Sequence, residues 1–313
     1  MENIYSLPSV SIIVPVYNSE KTVAACIESL LAQTYPTDKT EIIFVDNKSS
    51  DKTLSLMQPY ADSGKIRVLS ETKILNAYGA RNTGVKAAKG EILAFTDADC
   101  EAKADWLEYL IMPFEEQDIG CVSGEILPAK PQNVIEKYWD EGYLSQKRFA
   151  DKEYPRVLGG NCAFRHQIFD VVGFFREDFP SGGDTELANR MREKSTFRIK
   201  LALDAIVRHH NVSTLRIFIK QSIRHGTHVS SFISQPNQSK REKPSFTKSI
   251  INTIKFLGVF LKRIATIAFC SFSKPVPKYD LDIYIARPLL RIIQIWATWW
   301  GYRFALKRPK IMR

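Results

Sequence analysis

Over the first hundred residues, apolar positions come in short blocks separated by polar, turn-forming segments. Val10-Ser11-Ile12-Ile13-Val14-Pro15 is a nearly continuous apolar run of strand length, which predicts a strand buried on both faces. Beyond it, Val23, Ile27, Leu30 and Leu31 recur at helical spacing after Ser19 and Thr22, predicting a helix capped by Ser19. Glu41-Ile42-Ile43-Phe44-Val45 predicts a second strand, and the loop Asp46 to Asp51 should cap a helix near 51–62, with Ser49 or Ser50 as the cap. Ile66 to Leu69 reads as a short third strand, residues 78–88 as a small-residue helix, and Glu91 to Thr96 as a fourth strand. This alternation predicts an α/β fold with a mostly parallel central sheet flanked by helices.

Open sheets of this kind bind ligands at the carboxyl ends of their strands. Three such ends carry Tyr17, Asp46, and Asp97 with Asp99, so these residues should converge on one crevice. Two carboxylates at a strand end do not help a core and would be costly to bury unpaired. A divalent cation carrying a phosphate would neutralise both, and Mg²⁺ and Mn²⁺ favour such oxygen ligands. A solvated turn is the other reading of an isolated Asp-X-Asp. No Gly-X-Gly-X-X-Gly follows the first strand and no Gly-Lys-Ser/Thr loop occurs, which argues against a dinucleotide-binding enzyme and a P-loop NTPase.

Composition narrows the picture further. The 313 residues are 44% hydrophobic and 25% charged, enough for one large domain with an appendage. The five cysteines (Cys26, Cys100, Cys121, Cys162 and Cys270) have neither metal-finger nor redox spacing and read as small buried hydrophobes of a reducing compartment. Met1 to Pro8 has neither a basic nor an apolar stretch, so no secretion signal is expected. The net charge of +10 is uneven: residues 1–200 hold 24 basic and 30 acidic side chains, residues 201–313 hold 20 and 4. A tail balance of +16 calls for an anionic partner.

Several stretches together resemble the family 2 glycosyltransferases of the GT-A fold. They are Val10 to Asn18; Glu41 to Asn47 with Ser49 and Asp51; Ala80-Arg81-Asn82-Thr83-Gly84; Gly90 to Asp99; Gly159-Gly160-Asn161-Cys162-Ala163-Phe164-Arg165; and Gly183-Asp184-Thr185-Glu186-Leu187. The resemblance covers roughly residues 8–230 and implies a metal-dependent, inverting transfer from a nucleotide-sugar, most often UDP-linked, to a glycan or lipid-linked acceptor in cell-surface polysaccharide assembly. It implies that Pro15 and Tyr17 line the nucleotide pocket, Asp46 accepts a hydrogen bond from the base, and Arg81 lies near the diphosphate. Asp97 would contact ribose or support the metal, and Asp99 would ligate Mn²⁺ or Mg²⁺. Asp184 would be the general base that takes the acceptor's proton, with Glu186 a weaker candidate. The family usually shows Glu-Asp where this chain has Gly183-Asp184. Gly160 and Asn161 would floor the acceptor site. His209, after the apolar Ala205-Ile206-Val207 strand, resembles a third metal ligand, in preference to His210. Gln221-Ser222-Ile223-Arg224-His225 resembles a Gln-X-X-Arg-Trp motif with its tryptophan replaced, which places Arg224 on the acceptor side. Each position has a plainer reading: a helix cap for Asp46 and Asp184, a surface arginine for Arg81, a tight turn for Gly160, a structural histidine for His209.

Residues 1–235 are expected to form the catalytic domain and 236–313 a basic, aromatic-rich helical tail. Lys248, Lys255, Lys262 and Arg263 interrupt one apolar stretch, and Trp296, Trp299, Trp300 and Tyr302 occupy a second, flanked by Arg287, Arg291, Arg303, Lys307 and Arg308. Rings with flanking cations suit an interfacial helix on an anionic membrane surface, which points to a peripheral position on the cytoplasmic face of the cell membrane. A re-entrant or spanning hairpin comes second, the plainer reading is helices packed onto the catalytic domain with their cations solvated, and nucleic acid is not an expected partner. Two rival functions remain at this level: transfer to a polyprenyl phosphate, and a non-catalytic nucleotide-sugar scaffold on the membrane.

Overall fold

The computed structural model describes residues 7–139, 144–149, 155–179, 181–233, 244–273 and 281–307. The chain divides into two compact units. The first holds residues up to 129, 144–177 and 182–210; the second holds 130–143, 178–181 and 211–313. The expected division at residue 235 is therefore displaced: the helix after residue 210 belongs with the tail, because it packs on the tail's last helix.

The first unit is built on an eight-stranded sheet. Strands β1 (Val10–Val16), β2 (Thr40–Asp46), β3 (Arg67–Ser70) and β4 (Ile92–Thr96) are parallel and lie in the order β3-β2-β1-β4. Helices α1 (Val23–Leu31), α2 (Thr53–Asp62) and α3 (Ala77–Ala87) connect them. Every element read from the amino-terminal pattern is present within a few residues of its expected bounds.

Strand β1 is buried along its whole length, so its side chains alternate between two apolar layers. Ile12 and Val14 pack with Phe44, Met57, Trp106 and Leu110 on one face. On the other face Ile43 and Val45 of β2 pack with Ala80 of α3, and Ile13 of β1 lies against Gly84 of the same helix. Ser11, the one polar residue within the run, donates to Glu41 Oε1 at 2.6 Å and accepts from Gly90 N at 2.8 Å, so its hydroxyl is not left unpaired.

Beyond β4 the sheet changes character. β5 (Cys100–Ala102), β6 (Ile119–Pro128), β7 (Asn161–Arg165) and β8 (Arg198–His209) extend it in the order β4-β7-β6-β8-β5. β7 is antiparallel to both β4 and β6, β8 runs parallel to β6, and β5 is antiparallel to β8. Helices α4 (Trp106–Ile111), α6 (Gln167–Val172) and α7 (Gly183–Lys194) belong to this half. An aromatic cluster of Phe95, Phe164, Phe169 and Phe175 packs under it, with Phe95 and Phe175 ring centroids 5.3 Å apart. Cys26, Cys100, Cys121 and Cys162 are buried and free. Burial pushes the Cys26 and Cys162 thiols well above their ordinary range, as expected of inert core residues.

The second unit is helical: α5 (Val134–Trp139), α8 (Leu215–Ile233), α9 (Phe246–Ser273) and α10 (Leu281–Lys307). Tyr138, Trp139, Phe218 and Leu290 form its core. α8 and α10 meet backbone to backbone at Gly226 and Gly301: a Cβ on Gly226 would lie 2.0 Å from the Thr298 carbonyl oxygen, and one on Gly301 equally close to that of Ile223. Among the described residues, no helix is long and apolar enough to cross a membrane.

Candidate active site

The carboxyl ends of β1 and β2 carry two loops that are stitched together. Asn18 donates its backbone N–H to Ser49 Oγ at 3.0 Å and accepts from Ser50 N at 2.8 Å through its side-chain oxygen. Ser19 N donates to Thr53 Oγ1 at 2.8 Å, and Glu20 N to Asp51 Oδ2 at 3.1 Å. Asn18 and Lys48 both have positive φ, 49° and 65°, a conformation more natural for asparagine than for lysine. Asp46 holds the second of these turns by accepting from Lys48 N at 3.1 Å and Ser49 N at 3.2 Å.

Helix capping differs from the sequence expectation. Asp51 sits just before the Lys52 N-cap of α2 and accepts from Thr53 N at 3.0 Å, whereas Ser49 and Ser50 serve the neighbouring loop. At α1 the Ser19 carbonyl, not its hydroxyl, accepts from Thr22 N and Val23 N. Asp46 is 3% exposed, and each carboxylate oxygen keeps lone-pair capacity beyond its two backbone donors. Tyr17 stands 63% exposed at the crevice mouth. Pro15 pairs with Val45 beyond the last β1–β4 pair, where the sheet opens and its missing N–H costs little.

At the end of β4, Arg81 Nη2 donates to Asp97 Oδ1 at 2.5 Å. Arg81 is buried to 5% exposure, so the surface-arginine reading does not hold. Its guanidinium also faces the Tyr78 ring at 5.7 Å, while among the described residues its Nε has no hydrogen-bond partner. Burial raises the Asp97 carboxyl, and Arg81 opposes that rise. Asp99 Oδ2 lies 3.5 Å from His209 Nε2, and the Asp99 side chain is 45% exposed. The antiparallel pairing of Cys100 with His209 produces this meeting. His210 is taken up by Glu101 at 2.5 Å, which leaves His209 as the histidine beside the carboxylates.

Asp184 lies in the first turn of α7. It accepts from Gly159 N at 2.5 Å through Oδ2 and from Thr185 N at 2.9 Å through Oδ1. A side chain would crowd this crossing: a Cβ on Gly159 would sit 2.8 Å from Arg81 Nη2, and one on Gly160 would sit 3.0 Å from Asp97 Oδ2. The Gly159-Gly160 turn thus links Asp184, Arg81 and Asp97 into one cluster. Glu186 is not free for proton transfer, because Arg190 grips both its oxygens, at 3.1 and 2.8 Å.

Two expected acceptor-side residues behave differently. Asn161 is fully buried. Its side chain accepts from Trp106 Nε1 at 2.8 Å and donates to the carbonyls of Glu125 and Ala205 at 2.9 and 2.8 Å, so it ties β6, β7 and β8 together instead of facing a ligand. Arg224 is exposed on α8 in the second unit. Tyr78 was not foreseen: its hydroxyl accepts from Gly183 N at 2.8 Å and fixes the start of α7. The signal that could have found it is its position on the face of α3 that also carries Arg81.

The donor set suits a divalent ion. A half-exposed carboxylate and an imidazole nitrogen 3.5 Å apart can share one Mn²⁺ or Mg²⁺, with substrate phosphate oxygens and water completing the shell. Among the described residues, no group of three or more His, Cys, Asp and Glu forms a metal site by itself. The ion would therefore depend on the bound diphosphate for further ligands.

The comparisons fit this geometry. The family model described as glycosyl transferase family 2 matches residues 11–179. Glycosyltransferase AglE of Haloferax volcanii is 30% identical over 207 residues, 65% of this chain and 67% of that protein. An Escherichia coli UDP-Glc:alpha-D-GlcNAc-diphosphoundecaprenol beta-1,3-glucosyltransferase is 36% identical over 129 residues, 41% of this chain and 50% of its own length. The fold matches a mannosyltransferase from Pyrobaculum calidifontis, solved with GDP-Man and Mn²⁺, at a TM-score of 0.59 and 20% identity, covering 94% of this chain and 87% of that one. The chain belongs to glycosyl transferase family 2, is a glycosyltransferase, and has the GT-A fold.

Proposed function

We propose that this family member transfers a sugar from a UDP-linked donor, with inversion and with help from Mn²⁺ or Mg²⁺, onto a glycan or lipid-linked acceptor. The observation that carries the reading is the approach of His209 to Asp99 beside the Arg81–Asp97 pair, at the strand ends where open α/β sheets bind ligands. The names of relatives support the classes of donor and acceptor: the Escherichia coli protein is named for UDP-Glc and a diphosphoundecaprenol-linked sugar.

In this reading Tyr17 packs on the base, Asp46 accepts from it, and Arg81 offsets diphosphate charge as the glycosidic bond to the donor breaks. A bound divalent ion supplies electrostatic stabilisation of the leaving diphosphate. Asp184 takes the proton from the acceptor hydroxyl as that oxygen attacks the anomeric carbon. Gly159 N–H holds one Asp184 oxygen in place, which fixes the direction in which the base points.

Calorimetric titration with UDP, GDP and dTDP, each with Mn²⁺ and with EDTA, tests the donor side. Binding of UDP that requires Mn²⁺ and is lost in Asp99→Asn is the expected result. Folded protein that binds none of the three with metal present overturns the assignment.

A further inference from the structure

The helical unit exposes an apolar stripe on α9. On α9, Ile250, Ile254, Leu257, Leu261 and Ile264 follow one another at spacings of four and three, and all are exposed; Ile254 and Leu261 reach 66% and 64%. Ile251, at 59%, widens the stripe. Lys248, Lys255 and Lys262 recur every seven residues along its outer flank, and α9 contains no acidic residue.

The packed side of the same helix mixes polar and aromatic residues, with Phe256 and Phe260 half-buried at helical spacing from Ser249, Thr253 and Arg263. Ser249 is buried at 5% exposure. Thr253 Oγ1 accepts from Trp296 Nε1 at 2.9 Å. Arg263 donates to the Tyr284 carbonyl at 2.5 Å and lies over the Tyr284 ring at 4.3 Å. Phe246 packs on Trp296 and Trp299 at 5.7 and 5.4 Å. These contacts hold α9 against α10 and point the isoleucines and leucines outward. They also engage most of the aromatic residues expected to meet a membrane: Trp296 and Trp299 are half-buried, Tyr302 is buried, and Trp300 stands exposed at 60%.

We infer that α9 is an interfacial helix that lies in the plane of an anionic bilayer, its Ile250–Ile264 stripe in the acyl boundary and its lysine row at the phosphates. A wide apolar stripe beside a basic row, on a helix not apolar enough to span, is the pattern of such helices. The 4-3 spacing also suits a coiled-coil seam with a second copy. Against that occupant, the seam lasts only about two heptads, short of the three to four that specify a coiled coil. α9 also carries no acidic residue that could offset the three-lysine rows of two copies brought together. Anionic lipid supplies that missing charge.

Co-sedimentation of the full chain with vesicles of pure phosphatidylcholine and of phosphatidylcholine with 30 mol% phosphatidylserine, roughly matching an anionic leaflet, reads the inference directly. Binding to the anionic vesicles, weakened by salt, is expected to exceed binding to the neutral ones. Ile254→Gln with Leu261→Gln should abolish it while circular dichroism and UDP binding stay unchanged, since both side chains are exposed. Lys255→Gln should weaken anionic binding about fivefold, the equivalent of about 1 kcal/mol per cation near a charged surface. Failure of the native chain to bind either vesicle overturns the inference, as does undiminished binding by the Ile254/Leu261 variant. So does a dimer in solution that the same variant converts to monomer without any gain or loss on vesicles, because a second copy would then cover the stripe.

Discussion

Strands β3, β2, β1 and β4 run parallel and are joined by short helical crossovers, whereas β7, β6, β8 and β5 pair in both directions and join segments as far apart as Cys100 and His209. The first half offers candidate donor-side groups held by neighbouring loops: Asp46 anchors the turn that follows it, and the Asn18 and Ser49 loops brace each other. The second half offers groups aimed by register. His209 meets Asp99 because β5 pairs with β8, and Asp184 meets Gly159 because α7 starts beside the turn before β7. Recognition of a base can thus rest on local structure, while the candidate base and metal ligands depend on long-range pairing. Errors in that pairing would erase the chemistry and leave donor-side loops intact.

The largest break in this comparison is expected from Asp184→Asn. It should lower kcat about 10²- to 10⁴-fold, the usual share of a general base, while calorimetric UDP affinity stays near that of the native enzyme. A scaffold protein would show no such split. Next is His209→Ala, which removes the register-dependent candidate ligand. The Mn²⁺ concentration needed for half-maximal UDP binding should rise about 10- to 100-fold, at least what loss of a supporting residue costs a metal site. Unchanged Mn²⁺ dependence would return His209 to a structural role.

Arg81→Met should destabilise the fold by about 2 kcal/mol, read by denaturant unfolding. That is below the roughly 3–5 kcal/mol of a fully buried pair, because the Asp97 side chain stays 35% exposed. The smallest effect belongs to the parallel half. Burial acts to raise the Glu41 carboxyl, but the Ser11 hydroxyl, the Lys89 amide and Arg67 outweigh it and hold the group below its ordinary value. Stability from a group lowered in the folded state is present above its unfolded pKa and fades as pH falls through the folded one. Glu41→Gln should therefore cost about 1 kcal/mol at neutral pH, and the difference from the native protein should shrink as pH drops below about 4. A pH-independent difference would mean that the cost comes from packing.

The parallel half was legible because its cues are local. Apolar runs of strand length, turn residues and helical spacing sit next to one another in sequence, and carboxyl ends follow from strand direction alone. β6 was not read at all, since Ile119 to Pro128 resembles a loop-rich stretch until β7 and β8 pair with it. The chemistry of Asp97, Asp99 and Asp184 could be named from motif order. Asn161 was misjudged for the opposite reason: its motif position suggests a ligand, yet three hydrogen bonds to distant elements turn it inward.

By itself the sequence determined the α/β alternation, the strand ends that carry Tyr17, Asp46, Asp97 and Asp99, the family, and the basic character of the last hundred residues. Only the tertiary structure decided that Arg81 is a buried partner of Asp97, that His210 is taken up by Glu101, that Glu186 is spent on Arg190, and that α9 turns isoleucines and leucines to the outside. Periodicity records which face of an element is apolar. What that face meets is fixed by pairings between residues a hundred positions apart, and those leave no trace in any local window of the chain.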